Sequence, residues 1–159
     1  MSAKRDIEAR LAALGMVLPV PPAPAGQYRP VIDRNGFGYV SGQFPFANDK
    51  LRFAGRLGGE LDEAAAREAA QLAALNVLAQ IAATEPGFDS FGGLLRVDGV
   101  VASTEDTHMS QPRVLDAASE LFVAALGPAL GAHSRTLVSA PRLPFNAAIE
   151  LSVVFAVIS

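Results

Sequence analysis

The chain contains no cysteine, and this absence excludes disulfide frameworks, thiolate zinc sites and thiol nucleophiles together. Lysine is also scarce, since Lys4 and Lys50 are the only two lysines among the 13 basic residues. With 16 acidic residues the net charge is −3, so no basic stripe is available to follow a phosphate backbone. This composition disfavours nucleic acid as a partner.

Charged residues are few as well, at 18% of the chain against about 25% in an average globular protein. Half of the 159 residues are hydrophobic, which suits one domain with a sizeable core. Because the surface that should be polar is in short supply, the composition indicates that part of it is covered by contact between subunits.

The sequence has no apolar run of about 18 residues that could span a membrane, and its charged start lacks the apolar centre of a signal peptide. We therefore expect a cytoplasmic protein with no membrane partner. The two histidines, His108 and His133, stand far apart with no metal-ligand spacing, and the glycine-rich segments lack phosphate-binding patterns. No metal and no cofactor is expected.

The pattern along the chain predicts three segments. Residues 1–18 are predicted to form a helix, because Ile7, Leu11 and Leu14 recur on one helical face. Residues 19–27 are a proline-rich connector that must be extended. Residues 28–159 are predicted to form a single domain.

Within that domain, strands and helices alternate. The Asn35-Gly36 pair predicts a hairpin, and Gly99 inside a β-prone run suggests a bulge. The expected elements are strands over 28–32 and 37–41, a helix over 61–84, a strand over 94–102, a helix from about 110 to 127, and strands over 135–139 and 147–157. This order predicts an α+β domain with its helices packed on one face of a mixed sheet.

The last predicted strand has two different faces. Its apolar phase, which must face the helices, is Ile149, Leu151, Val153, Phe155 and Val157. The other phase holds a single charge and consists of Ala148, Glu150, Ser152, Val154 and Ala156. A face exposed to solvent would carry more charge, so we predict that this one lines a subunit interface with a polar cleft beside Glu150 and Ser152.

Arg135 is the strongest candidate site residue, because it lies inside a β-prone run. A guanidinium in a sheet needs an anion, and its planar fork suits a carboxylate. Arg135 therefore either pairs with Glu150 across a hairpin or receives the carboxylate of a ligand. Ser41 lacks the G-x-S-x-G pattern of a nucleophile elbow, which disfavours hydrolysis through a serine nucleophile.

Several short motifs together resemble a known family. They are Gly26-Gln27-Tyr28, the run YVSGQFP over 39–45, the run DAASELF over 116–122, Ser134-Arg135-Thr136, Arg142-Leu143-Pro144 and Ile149-Glu150-Leu151. From about residue 24 to its end, the chain resembles the YjgF/YER057c/UK114 family, also called the Rid or L-PSP endoribonuclease-like family, in its divergent YjgF-like branch. The resemblance implies a chorismate-mutase-like α+β fold and a homotrimer with three clefts between subunits.

The resemblance also implies site residues. In the deaminase members of the family, a cleft arginine binds the carboxylate of a 2-imino or enamine acid, and water attacks the C=N bond to give a 2-keto acid and ammonia. Arg135 matches that arginine, and Leu137 matches the position whose backbone N–H assists it. Tyr28, Ser41 and Gly42 match positions that line the cleft.

Two residues depart from the family pattern. Ser152 stands where the deaminases have a glutamate that holds the attacking water, and a hydroxyl is a far poorer base. Asp116 stands where the family has an asparagine, which adds negative charge beside an anion site. Glu150 lies on the same side of its strand as Ser152, so it is the candidate to hold the water instead.

These residues support two main hypotheses and a weaker third. The first is a Rid-like homotrimer that binds small carboxylate-bearing imine, enamine or keto-acid metabolites and hydrolyses 2-imino acids, with Arg135, Glu150 and Ser152 as catalytic candidates. The second is a non-catalytic metabolite-binding or regulatory trimer that keeps Arg135 but lacks the water-activating glutamate. Endoribonuclease activity comes third, because the acidic composition argues against tight RNA binding.

Overall fold

The computed structural model describes residues 3–158. A five-stranded sheet is packed on one face by two long helices, and a two-stranded hairpin lies beside it. The strands are β1 Val31–Arg34, β2 Phe37–Gln43, β3 Phe46–Ala47, β4 Lys50–Leu51, β5 Phe91–Ala102, β6 Ser134–Ala140 and β7 Ile149–Val157. The helices are α1 Ala3–Ala13, α2 Glu63–Ala82, α3 Gln111–Leu126 and the single turn α4 Pro128–Gly131.

The ends of the long elements follow from local signals. The hairpin predicted from Asn35 and Gly36 is confirmed, and both residues have positive φ in its turn. The first strand runs over Val31–Arg34 rather than the expected 28–32, so only these two residues separate it from β2. Asp62 caps α2, because its side chain accepts a hydrogen bond from the Ala65 amide at 2.8 Å. Helix α3 has proline in its first turn and ends at Gly127, which has a φ of 85°. The predicted bounds of α3 are confirmed.

The sheet has the strand order β1-β2-β7-β5-β6. Strands β5 and β6 are parallel and all other neighbours are antiparallel, so the predicted mixed sheet is confirmed. Strand β5 lies between β6 and β7, which are therefore not hairpin partners. Of the two alternatives for Arg135, the pairing with Glu150 across a hairpin is wrong, because a whole strand separates them.

The two faces of β7 behave largely as predicted. Ile149, Leu151, Val153 and Phe155 are at most 4% exposed beneath the helices, while Glu150 is half-buried on the helix-free face. One residue assigned to the second face differs, because Ala148 precedes the strand and is buried.

The bulge predicted at Gly99 is wrong. The register of β5 against β7 shifts between Phe91 and Gly93 and again between Leu94 and Arg96, which places the irregularities near the start of the strand. At Gly99 the strand is regular, and a Cβ there would come within 2.6 Å of the Leu115 side chain. This glycine is therefore explained by the close approach of α3.

The N-terminal segment packs against the domain. Helix α1 ends at Ala13 rather than reaching residue 18, since Gly15 turns the chain with a φ of 72°. Ile7 and Leu11 are buried, and Arg10 donates to the Ala125 carbonyl of α3 at 3.3 Å. Among the described helices, none is long and apolar enough to cross a membrane.

Candidate functional site

A polar cluster occupies the groove between α3 and the edge strand β6. Arg135 is in register with Val97, which is fully buried beneath the helices, so Arg135 projects from the helix-covered face. Its Nη1 atom donates to Asp116 Oδ1 at 2.8 Å and to Ser119 Oγ at 3.1 Å. Its Nε and Nη2 atoms donate to no group within residues 3–158, which leaves one edge of the guanidinium open to a carboxylate.

His133 completes this cluster, which we call the Arg135 cluster: Asp116, Ser119, His133 and Arg135. His133 Nε2 lies 2.9 Å from Ser119 Oγ, and its Nδ1 lies 2.6 Å from the Gly131 carbonyl oxygen. Together with Val123 and Ala132, the four residues line an open depression of about 390 Å³. Within residues 3–158 no group of acidic residues and histidines has the arrangement of a metal site.

A second group of predicted residues meets at the other side of the sheet, where β2 lies beside the connector. Tyr28, Ser41 and Gly42 line a small cavity of about 30 Å³ whose wall includes connector residues 22–25. The Glu150 carboxylate lies directly over Gly42, where any Cβ would collide with it. We call Tyr28, Ser41, Gly42 and Glu150 the Glu150 cluster.

Glu150 is chemically distinct from the other carboxylates. Desolvation by burial raises the pKa of its carboxyl above the ordinary value. Within the described part of the chain, no basic side chain forms an ion pair with it. An unpaired, half-buried carboxylate on an open sheet face is suited to receive a proton or a positively charged group.

Two buried amides of α2 hold the wall of the Glu150 cluster. Asn76 donates from Nδ2 to the Phe44 and Phe46 carbonyl oxygens, both at 2.9 Å. Gln80 donates from Nε2 to the Pro22 carbonyl oxygen of the connector at 2.8 Å. The connector is therefore fastened to the same helix that supports the loop after β2. We conclude that it is part of the candidate site.

The two clusters lie on opposite faces of the sheet in one protomer. Glu150 is in register with Val100, and Ser152 with Asp98, whose own β6 neighbour is Thr136. These side chains point away from the helices, whereas Arg135 and Leu137 alternate with Thr136 and point toward them. One protomer therefore cannot bring the Arg135 and Glu150 clusters onto the same small ligand.

Four residues that form or support the two clusters were not predicted from the sequence, although the spacing of each indicates its place: Ser119, His133, Asn76 and Gln80. His133 stands two positions before Arg135, a spacing that places two side chains on the same side of an extended chain. Ser119 follows Asp116 by three positions, about one helical turn, so both lie on one face of the helix. Asn76 and Gln80 are four apart within an otherwise apolar helix, which places two buried amides on one face.

Comparison with known proteins decides the family. The sequence profile of the YjgF/chorismate mutase-like endoribonuclease family matches residues 8–158. This chain belongs to that family. The family membership and the mixed α+β fold predicted from the sequence are thereby confirmed.

Several relatives of this YjgF-family chain are informative. Protein TCP17 of Trypanosoma cruzi is 30% identical over 145 residues, which are 91% of this chain and 90% of that protein. The crystal structure of Atu1372 from Agrobacterium tumefaciens, a protein of unknown function, is 35% identical with a TM-score of 0.90, covering 98% of this chain and 94% of that one. The structure of Escherichia coli TdcF with bound serine is 19% identical with a TM-score of 0.64, covering 88% and 94%, which shows the shared fold alone.

Proposed function

We propose that this protein is a homotrimer that binds small carboxylate-bearing metabolites in clefts between subunits and hydrolyses 2-imino acids to 2-keto acids and ammonia. The observation that carries the proposal is the separation of two complementary half-sites onto opposite faces of one sheet. Contact between two protomers is the simplest way for the Arg135 cluster of one to meet the Glu150 cluster of the next.

The helix-free sheet face supports the assembly. Phe37, Tyr39 and Val138 are each about half exposed on that face, at 46%, 49% and 52%. The salt bridge between Arg96 and Asp98, at 2.8 Å, is central to the same face and leaves few unpaired charges there. A large, weakly charged surface of this kind is typical of a subunit interface.

The open edge of Arg135 supports the ligand class. A carboxylate can bind bidentately to Nε and Nη2 while Nη1 stays on Asp116 and Ser119. An imine beside that carboxylate is already electrophilic, so the protein needs to orient it and to position a water molecule. Addition of water to the C=N carbon, followed by loss of ammonia, gives the keto acid.

A second candidate, a non-catalytic metabolite-binding trimer, is favoured by one observation. Ser152 lies where the deaminases have their water-holding glutamate, and its hydroxyl is a poor base. The Arg135 anchor would still bind ligand in such a protein. The two candidates therefore share a binding site and differ only in turnover.

One set of measurements tests the proposal. Light scattering at micromolar concentration should give three times the 16.6 kDa chain mass, and a monomer mass would contradict the assembly.

Imines generated by an amino-acid oxidase should disappear faster when the protein is present. Arg135→Lys keeps the positive charge but cannot bind a carboxylate through two parallel hydrogen bonds, so the free energy of keto-acid binding should weaken by about 1.5–3 kcal/mol. Arg113→Lys is the control, because Arg113 pairs with Glu63 away from the cluster.

If ligand binds to the trimer but no imine is hydrolysed, the non-catalytic candidate is the correct one. If Arg135→Lys leaves keto-acid affinity unchanged in calorimetry, Arg135 is a structural partner of Asp116 and the proposed binding site is wrong.

A further inference from the structure

We propose that Ser119 and His133 form the proton relay of the Arg135 cluster, in the role that Ser152 is poorly suited to fill. This inference rests on the proposed imine hydrolysis, for which it names the proton acceptor. Both residues lie in the depression that holds Arg135, and both come from the same protomer as that anchor. Ser152 lies on the opposite face of the sheet.

The orientation of His133 is set by its surroundings. A carbonyl oxygen can only accept, so the 2.6 Å contact with Gly131 places the ring proton on Nδ1. The neutral ring then presents an unprotonated Nε2 to Ser119. The Phe122 ring meets the imidazole edge to face, with centroids 5.9 Å apart, and restrains its rotation.

The position of that carbonyl depends on glycine at 131. A Cβ on Gly131 would come within 2.6 Å of the Val123 Cα and 2.7 Å of the Phe122 carbonyl oxygen. Only glycine lets the α4 turn lie this close to α3, and this closeness aims the Gly131 carbonyl at His133. The Gly131 carbonyl therefore orients the His133 imidazole toward Ser119, as a third group orients the base in a catalytic triad.

The hydroxyl of Ser119 has one site left for a substrate water. A serine hydroxyl has one proton to donate and two lone pairs that can accept. Its proton points to His133 Nε2, and one lone pair accepts from Arg135 Nη1 at 3.1 Å. The second lone pair has no partner within residues 3–158, and Ser119 lines the depression. A water held there lies beside the carboxylate anchor.

The relay accounts for every proton in the reaction. Water gives a proton to Ser119 Oγ as the Ser119 proton passes to His133 Nε2, and the water oxygen bonds to the imine carbon. The π electrons of C=N move to nitrogen, which takes the proton from His133. In the second half, the new hydroxyl gives its proton through Ser119 to His133, and His133 protonates the departing nitrogen. The C–N bond breaks, and keto acid and ammonia leave.

The test compares His133→Gln with His108→Gln, a matched control because His108 lies outside the cluster. Imine hydrolysis is followed by keto-acid production at saturating substrate, and keto-acid affinity by calorimetry. We expect His133→Gln to lower the rate about 100-fold while affinity changes less than about threefold. His108→Gln should leave both unchanged. Ser119→Ala, which keeps the helix, should lower the rate similarly and serves if His133→Gln does not fold.

A pH profile separates a relay from a structural role. The charged groups that line the depression with His133 are Asp116 and Arg135. The wild-type pH–rate profile should contain a limb that reports the general base, and the His133→Gln profile should lack that limb. Added imidazole should partly restore the rate of His133→Ala. A His133→Gln protein as fast as wild type would overturn the relay alone, whereas an inert wild type would overturn the proposed hydrolysis and the relay together.

Discussion

Replacing Asp116 with asparagine should shift the charge preference of the cleft toward anionic ligands. Asp116 is paired with Arg135 at 2.8 Å, and the two side chains are 46% and 26% exposed. The pair is close to neutral overall, so it suits a ligand that carries both a carboxylate and an ammonium or iminium group. Asp116→Asn keeps the size of the side chain and leaves Arg135 with an unbalanced positive charge. Keto acids should then bind more tightly, whereas zwitterionic amino acids should gain little.

The size of this effect can be worked from Coulomb's law. A ligand carboxylate on the open edge of Arg135 would lie roughly 6 Å from the Asp116 carboxylate. For a half-exposed group, an effective dielectric constant between about 40 and 80 gives a repulsion of about 0.7–1.4 kcal/mol. Its removal should raise keto-acid affinity about 3- to 10-fold. An amino acid gains the same relief at its carboxylate but loses a similar attraction at its ammonium group, so its affinity should change little.

The assay is calorimetric titration of wild type and Asp116→Asn with a keto acid and with the amino acid of the same side chain. Glu120→Gln is the matched control, because it removes one negative charge from the same helix but pairs with Arg67 instead. The ratio of the two affinities should shift by about 3- to 10-fold in Asp116→Asn and by less than twofold in Glu120→Gln. Equal shifts in both variants would show that the contact with Arg135 has no special role.

Three further predictions test the Glu150 cluster and its support. Asn76→Ala leaves the Phe44 and Phe46 carbonyls without a donor, so urea unfolding should show a loss of about 2–4 kcal/mol, and an unchanged midpoint would contradict this. Burial raises the pKa of Glu150 in the folded protein, so keeping its carboxyl ionised costs folding free energy at high pH but not at a pH below the pKa of the unfolded chain. Glutamine carries no such charge, so Glu150→Gln should raise the Tm more at pH 8 than at pH 4. Gly42→Ala should lower the Tm, and a double variant with Glu150→Ala should recover most of the loss; additive effects would refute their contact.

Much of the fold could be predicted because its signals are local. The Asn35-Gly36 turn and the Gly127 end of α3 depend on the conformations those few residues allow. The strand order depends instead on which distant segments pair. Nothing near Arg135 or Glu150 shows that β5, more than 30 residues earlier than β6, lies between their strands. The expected hairpin was therefore wrong, while every strand that it joined was present.

The same contrast between local signals and distant contacts applies to the residues of the candidate site. Arg135 could be singled out because a charge inside a β-prone run needs an anion. The identity of that anion, Asp116, depends on how α3 packs across the edge strand, which spacing along the chain does not determine. The partners of His133 could not be predicted from its position in the sequence. Its contacts with Ser119 and Gly131 depend on how α3, α4 and the start of β6 pack together.

The two departures from the family pattern, Asp116 and Ser152, are connected by charge. In the family pattern that the sequence resemblance implies, a carboxylate stands at 152 and an amide at 116, whereas this chain has Ser152 and Asp116, so the proposed cleft keeps the same number of acidic groups. In the proposed trimer that charge moves from the helix-free face to the side of Arg135. There it lies beside Ser119 and His133, so the proposed anchor, its counter-charge and the proposed relay all come from one protomer. The neighbouring protomer then supplies the Glu150 cluster as a wall, which predicts that chemistry is more sensitive to changes around Arg135 than to changes at Ser152.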